Sequence, residues 1–223
     1  MLGGFFVVVA AIIYGGLVVR RRGTAPEPRS VTVDGEPALF LPRARLAAVG
    51  NCLFATALAL LFAGWAVVFG VSWGWAGAVV LAIPALVFAT LPAFALTGRW
   101  AAGGLWLTPT RLLQRTYGVR AWTAWDDIVK VGVAPVDEAV DLEPGTGVQT
   151  RNAHGSYTTP FFRNGKLPQD GWLVLDLRDL AATPEQTVVL LSTYWEQPEL
   201  RQELGGPAAL SRVFGVTDGS GRP

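Results

Sequence analysis

LAAVGNCLFATALALLFAGWAVVFGVSWGWAGAVVLAIPALVFATLPAFALTG, residues 46–98, contains no Asp, Glu, Lys, Arg or His. A helix of about 20 residues, rising ~1.5 Å at each, crosses the ~30 Å hydrocarbon core of a bilayer. The stretch is long enough for two crossings, and Gly70-Val-Ser-Trp-Gly-Trp75 supplies a break in its middle. One span is expected from about Ala47 to Phe69 and another from about Trp75 to Leu96. Ala55, Ala59 and Ala63 recur every fourth residue on the first, as do Ala85, Ala89 and Ala93 on the second. Small residues at that spacing let two helices approach closely. Pro84 removes a backbone hydrogen bond and is expected to kink the second helix. Asn51 reads as an interfacial or helix–helix hydrogen bond. With no ionisable group inside the stretch, a pump or ion pathway lacks its usual parts.

The flanking charges orient these spans. Leu2–Val19 is a further apolar run, followed by Arg20, Arg21 and Arg22. A cleaved signal peptide would carry its basic residues before the apolar run and small residues after it. The reverse order here predicts an uncleaved anchor, and so three spans in all. Arg43 and Arg45 precede the second span and Arg99 follows the third. Counted by the positive-inside rule, these clusters put the N-terminus outside and residues 23–45 and 99–223 in the cytoplasm. Trp65, Trp73 and Trp75 are expected at the outer interface, and Trp100 and Trp106 near the inner one. Two Lys against 16 Arg, with abundant Ala, fit a high-GC bacterial genome and hence an inner (plasma) membrane.

Composition narrows the function. Hydrophobic residues make up 51% and charged ones only 16%, a balance weighted toward membrane insertion. The net charge of +1 hides six Arg against three acids in residues 1–45, and 12 basic against 14 acidic residues in 99–223. A slightly acidic extramembrane part argues against a nucleic-acid partner. One cysteine (Cys52) and one histidine (His154) leave no His/Cys metal site. Asp126-Asp127 sit at a strand entrance, where turn or cap roles are the commoner ones. The acidic run Asp137, Glu138, Asp141 and Glu143 lacks EF-hand spacing and reads as a solvated loop. His154 near Ser156 has neither an elbow motif nor a placed carboxylate, and reads as a loop histidine. No Gly-rich nucleotide motif follows a strand. The expectation is a protein that is not an enzyme and carries no cofactor or metal.

Five segments follow: an anchor (1–22), a cytoplasmic loop (23–45), the helical hairpin (46–98), a β domain (99–206) and a tail (207–223). In the loop, Val31-Thr-Val33 and Ala38-Leu-Phe40 flank Asp34-Gly35 and could pair as a small hairpin, but Pro37 weakens that reading and a surface loop is preferred. In the β domain the apolar pattern alternates. Leu105–Leu107, Arg111–Tyr117, Ile128–Val133, Trp172–Leu177 and Thr187–Thr193 read as strands, with weaker ones near Gly147–Arg151 and Tyr157–Phe162. Pro198–Leu204 reads as a short helix opened by Pro and stopped by Gly205-Gly206, and the chain from Ser211 as a frayed tail.

Leu105-Trp-Leu-Thr108, then Arg111-Leu-Leu113, then Trp125-Asp-Asp-Ile128 leading into Val131 resembles bacterial, actinobacterial-type PH-like domains attached to membrane hairpins. Tyr194-Trp-Glu-Gln-Pro-Glu-Leu-Arg-Gln-Glu-Leu-Gly205 is similar to the C-terminal helix of such proteins. The resemblance covers about Arg99–Gly205 and the hairpin before it, and residues 135–171 depart from it. It implies a mainly-β barrel or sandwich with a C-terminal helix, held by membrane helices. It also implies an interaction module, an accessory or assembly subunit that docks another membrane protein or complex. Phe161, Phe162, Tyr194 and Trp195 are the candidate partner contacts. The alternative is an inner-leaflet lipid sensor, with Arg20, Arg21, Arg22, Arg111, Arg115 and Arg120 facing membrane lipids. An envelope-biosynthesis enzyme is the least favoured reading, and the sequence leaves a homo-oligomer open.

Overall fold

A computed structural model of the chain describes residues 25–133, 146–161, 167–177 and 180–218. They fall into two units, one built from Arg45–Ala101 and the other from the described residues of Thr24–Ala44 and Ala102–Pro223. The expected first span with Arg20, Arg21 and Arg22, the acidic run 137–143 and Phe162 lie outside the described residues.

The first unit is a pair of helices, α1 (Leu46–Trp73) and α2 (Trp75–Leu96), joined through the single residue Gly74. Both are long and apolar enough to cross a membrane. The break thus lies at one residue rather than across Gly70–Trp75, with Trp73 and Trp75 fully displayed beside it. Ala55, Ala59 and Ala85 are buried between the helices, while Ala63, Ala89 and Ala93 are exposed. The small-residue seam is therefore shorter than the repeat suggested. Phe62 stacks on Phe88 at 5.9 Å, and a side chain on Gly70 would press against Ala78.

The described residues of the second unit form nine strands. A six-stranded antiparallel sheet has the order β1 (Arg29–Val33), β2 (Glu36–Pro42), β3 (Gly104–Leu107), β4 (Arg111–Thr116), β5 (Val119–Ala124), β8 (Ala153–Tyr157). A three-stranded sheet has the order β6 (Ile128–Val133), β7 (Thr146–Thr150), β9 (Trp172–Leu175). Residues 23–45, read as a loop apart from the β domain, instead supply two of its strands. Asp34 and Gly35 both take positive φ, 51° and 85°, the geometry a two-residue hairpin turn needs. Pro37 does no harm, because β3 pairs with β2 only from Leu39 to Pro42, so no ladder bond from β3 is lost at Pro37. Leu39 and Leu41 point inward and are fully buried.

The helical pair is thus an insertion between neighbouring strands. Pro42 lies opposite Gly104, and the Arg43 amide donates to the Gly103 carbonyl at 3.2 Å. Gly103 has φ 64°, and a Cβ there would collide with the Arg115 carbonyl, so the chain re-enters the sheet where only glycine fits. Because β2 and β3 are adjacent in one sheet, both ends of the insertion emerge on the same side.

Three contacts join the two sheets around one core. Arg43, 2% exposed, donates to the Asp176 carboxylate at 2.6 Å and to its backbone carbonyl. Thr123 and Thr150 share a hydroxyl–hydroxyl hydrogen bond of 2.6 Å. Buried Trp125, in a 3-10 turn at 125–127, donates its indole N–H to the Thr108 carbonyl at 2.7 Å. The core runs from Leu39, Leu105 and Leu112 through Val148 and Leu173 to Leu191 and Val213.

The C-terminal part differs from the sequence reading. Thr187–Thr193, expected as a strand, lies within helix α3 (Pro184–Glu196). Its β-branched residues suggested a strand, but Thr183 and Gln186 form a reciprocal capping box with Pro184 in the first turn. Thr187, Leu190, Leu191 and Tyr194 are buried at helical spacing. Pro198–Glu203 is a 3-10 helix, and the expected tail forms α4 (Pro207–Asp218), with Ala209 and Val213 in the core.

Replacing residues 45–101 by a short Gly/Ser linker is expected to leave a water-soluble domain that unfolds cooperatively in urea. In that domain Asp176→Ala is expected to cost about 3 kcal/mol, since it strands a buried guanidinium. An unchanged midpoint would contradict the role assigned to the pair.

Candidate functional site

Alternation along the strands sends Leu39, Leu41, Leu105, Leu107 and Leu112 into the core, and the residues between them to the opposite face. Register aligns one row across the whole six-stranded sheet: Arg29, Phe40, Trp106, Leu113, Trp122, His154. The Phe40 and Trp106 rings stack at 4.4 Å, and those of Trp122 and His154 at 4.3 Å. Leu113, between the two Trp residues, is 4% exposed; Trp106 and Trp122 are half-buried and His154 is exposed. Arg29 lies over Phe40 at 5.3 Å and Arg111 over Trp122 at 5.9 Å. Guanidinium on an aromatic face contributes about 0.5–1 kcal/mol where exposed. The row is a flat aromatic surface edged by arginines.

The neighbouring row carries more charge. Arg115 and Arg120 are directly opposite on β4 and β5. Burial first, and then the Arg120 charge, push the Arg115 guanidinium below its usual pKa. Asp34, in the turn between β1 and β2, accepts from Arg111 at 2.7 Å and from Arg120 at 3.2 Å, both on the same carboxylate oxygen, Oδ2. Beside it Glu36 accepts from the Thr110 hydroxyl at 2.7 Å. Hydrogen bonds from Thr110 and Thr108 hold the Glu36 carboxyl below its ordinary pKa. Two acids thus pin the tip of the first hairpin against the arginine-bearing face.

The residues singled out from sequence fare differently. Arg111 and Arg120 come together on Asp34, with Arg115 alongside. Phe161 is half-exposed, its carbonyl accepting from Thr159 at 2.7 Å. Tyr194 is fully buried, so it is a core residue rather than a partner contact. Its hydroxyl donates to Glu203 at 2.8 Å, and Arg212 grips the same carboxylate at 2.6 and 3.1 Å. Trp195 packs against the core, and its indole N–H donates to the Ile128 carbonyl at 3.0 Å. Trp106, expected at the membrane interface, stacks within the sheet. His154 lies on β8 rather than in a loop. Phe40, Trp122, Asp34 and Arg29 were not anticipated; their sequence signal is the alternation of large aromatics on strands whose pairing was unknown. Among the described residues, no three His, Cys, Asp or Glu side chains gather as they would around a metal ion.

Comparison with protein-family models, with curated proteins and with solved structures returns no match.

The Tyr194–Glu203–Arg212 cluster ties α3 to α4 and gives a pH dependence. The Arg212 hydrogen bond foremost, with help from Tyr194, holds the Glu203 carboxyl below the ordinary glutamate range. A depressed carboxylate contributes stability above its unfolded pKa and loses it as pH falls through the folded one. Tyr194, raised by burial and then by Glu203, works in the other direction: stability falls once pH climbs past the usual tyrosine range. Glu203→Gln is expected to cost about 2 kcal/mol at neutral pH and to flatten the acid limb of the stability profile. An unaltered acid limb in urea titrations would contradict this.

Proposed function

We propose that this chain is an inner-membrane interaction module, a PH-like β domain held at the cytoplasmic face by its spans and docking another membrane protein or complex. The observation that carries the reading is the insertion of the helical pair between β2 and β3. A domain tethered through two neighbouring strands rather than one flexible end has its orientation restricted, and restricted orientation raises the effective concentration of one face for a neighbour in the same membrane. The PH-like description draws support from antiparallel strands around one core with helices at the C-terminal end. Trp and Arg, abundant on the exposed sheet face, are the residues that dominate binding energy at interfaces. The alternative reading is a lipid sensor that meets the inner leaflet through Arg111, Arg115 and Arg120.

Affinity purification of the full-length protein in mild detergent, followed by mass spectrometry, is expected to recover a membrane protein in stoichiometric amount. A lone protein that binds anionic liposomes through Arg111, Arg115 and Arg120 would instead establish the lipid reading. For the orientation, a fluorescent-protein fusion at the C-terminus is expected to mature in the cytoplasm, and an alkaline phosphatase fusion there to stay inactive. The opposite pair of results would reverse the topology.

A further inference from the structure

We propose that the arginine and aromatic face of the six-stranded sheet is the docking surface itself, and that its occupant is an acidic, extended segment of the partner protein, whose carboxylates take the place of Asp34 between Arg111 and Arg120. This deepens the docking role and rests on it.

The charge pattern specifies the occupant. Arg29, Arg111 and Arg120 lie on or border one face, and Asp34 in the first hairpin's turn is the acid that Arg111 and Arg120 meet. Asp34 is 50% exposed and Arg120 44%, so the ion pair sits where an incoming group can reach it. One carboxylate oxygen serves two guanidinium groups. Each guanidinium is a fork suited to two parallel bonds, so the pair can hold more acceptor than Asp34 offers. Asp34 sits in the tight turn at the tip of the first hairpin, and its carboxylate already shows how an acid meets this face. The half-buried rings of Trp106 and Trp122, either side of buried Leu113, give such a segment apolar contacts for its alternate side chains. Exposed salt bridges contribute at most about 1 kcal/mol, so exchanging Asp34 for a partner carboxylate is inexpensive. The hairpin turn is then a built-in competitor that sets a threshold for docking.

The test uses the full-length protein in phosphatidylcholine nanodiscs and a fluorescein-labelled peptide in which Glu alternates with Leu, read by anisotropy. The Glu peptide is expected to bind roughly tenfold more tightly than its Gln counterpart, with Arg111→Gln and Arg120→Gln each removing most of that preference. Asp34→Asn is expected to strengthen binding roughly threefold, because it deletes the competitor. A purely structural Asp34 would give no gain, so unchanged or weaker binding by that variant overturns the proposal. Equal binding of the Glu and Gln peptides overturns it as well, on unaltered protein and independently of whether any variant folds. Complete displacement of the peptide by phosphatidylglycerol vesicles, with the same arginine dependence, would assign the face to lipid and also overturn it. Because the assay needs no natural partner, an empty affinity purification beside the expected peptide ranking would fault the docking role and not the chemistry of the face.

Discussion

Pairing between Glu36–Pro42 and Gly104–Leu107 has to close across an insertion of two long apolar helices, and the rest of the β unit depends on that closure. Without β2, Leu39 and Leu41 leave the core and Trp106 loses its stacking partner Phe40. Bringing the ends of a long loop together costs entropy that rises only slowly with its length. Helices that order on their own reduce the cost further, since their ends arrive already close. Buried Arg43 then fastens the exit point to Asp176 on the second sheet.

The same closure organises the exposed face. Only when β1, β2 and β3 are in register do Arg29, Phe40 and Trp106 continue the row begun by Leu113, Trp122 and His154. The turn between β1 and β2 is then carried to Arg111 and Arg120, residues more than seventy positions away in the chain. Each side chain is ordinary; the row exists because strands from both sides of the helical pair share one sheet.

Local signals in the sequence were strong where one force dominates. A stretch of 53 residues without a charge leaves helix as the only way to satisfy its backbone in lipid, and α1 and α2 follow it closely. Strands such as Ile128–Val133 and Trp172–Leu175 were legible from alternation. Thr187–Thr193 was not, since the capping box at Thr183 outweighs the strand preference of Val188 and Val189. Residues 23–45 were misjudged because half of a pairing interface lies beyond the insertion, and no local pattern points across it. The arginines at 111, 115 and 120 are neighbours in the sequence, but the Asp34 carboxylate that Arg111 and Arg120 share is hidden there for the same reason. Tyr194 reads as a partner contact only while the chain beyond Gly206 reads as a tail; that chain forms α4, whose Arg212 grips the Glu203 carboxylate that the buried Tyr194 hydroxyl also meets.

The continuity of the sheet across the helical pair can be measured directly. The Arg43 amide bonds to the Gly103 carbonyl, so hydrogen-bonded pairs alternate from 43/103, and Phe40/Trp106 falls at a non-bonded position where side chains approach most closely. A Phe40→Cys/Trp106→Cys pair, made with Cys52→Ser in the full-length protein in native membranes, tests this by mild oxidation and peptide mass mapping. The account predicts an efficient 40–106 disulfide, and none when the second cysteine is moved one residue along β3 to Leu105. Failure to form the first bond, or equal yield at the two positions, would contradict a β domain closed across its own apolar helical pair.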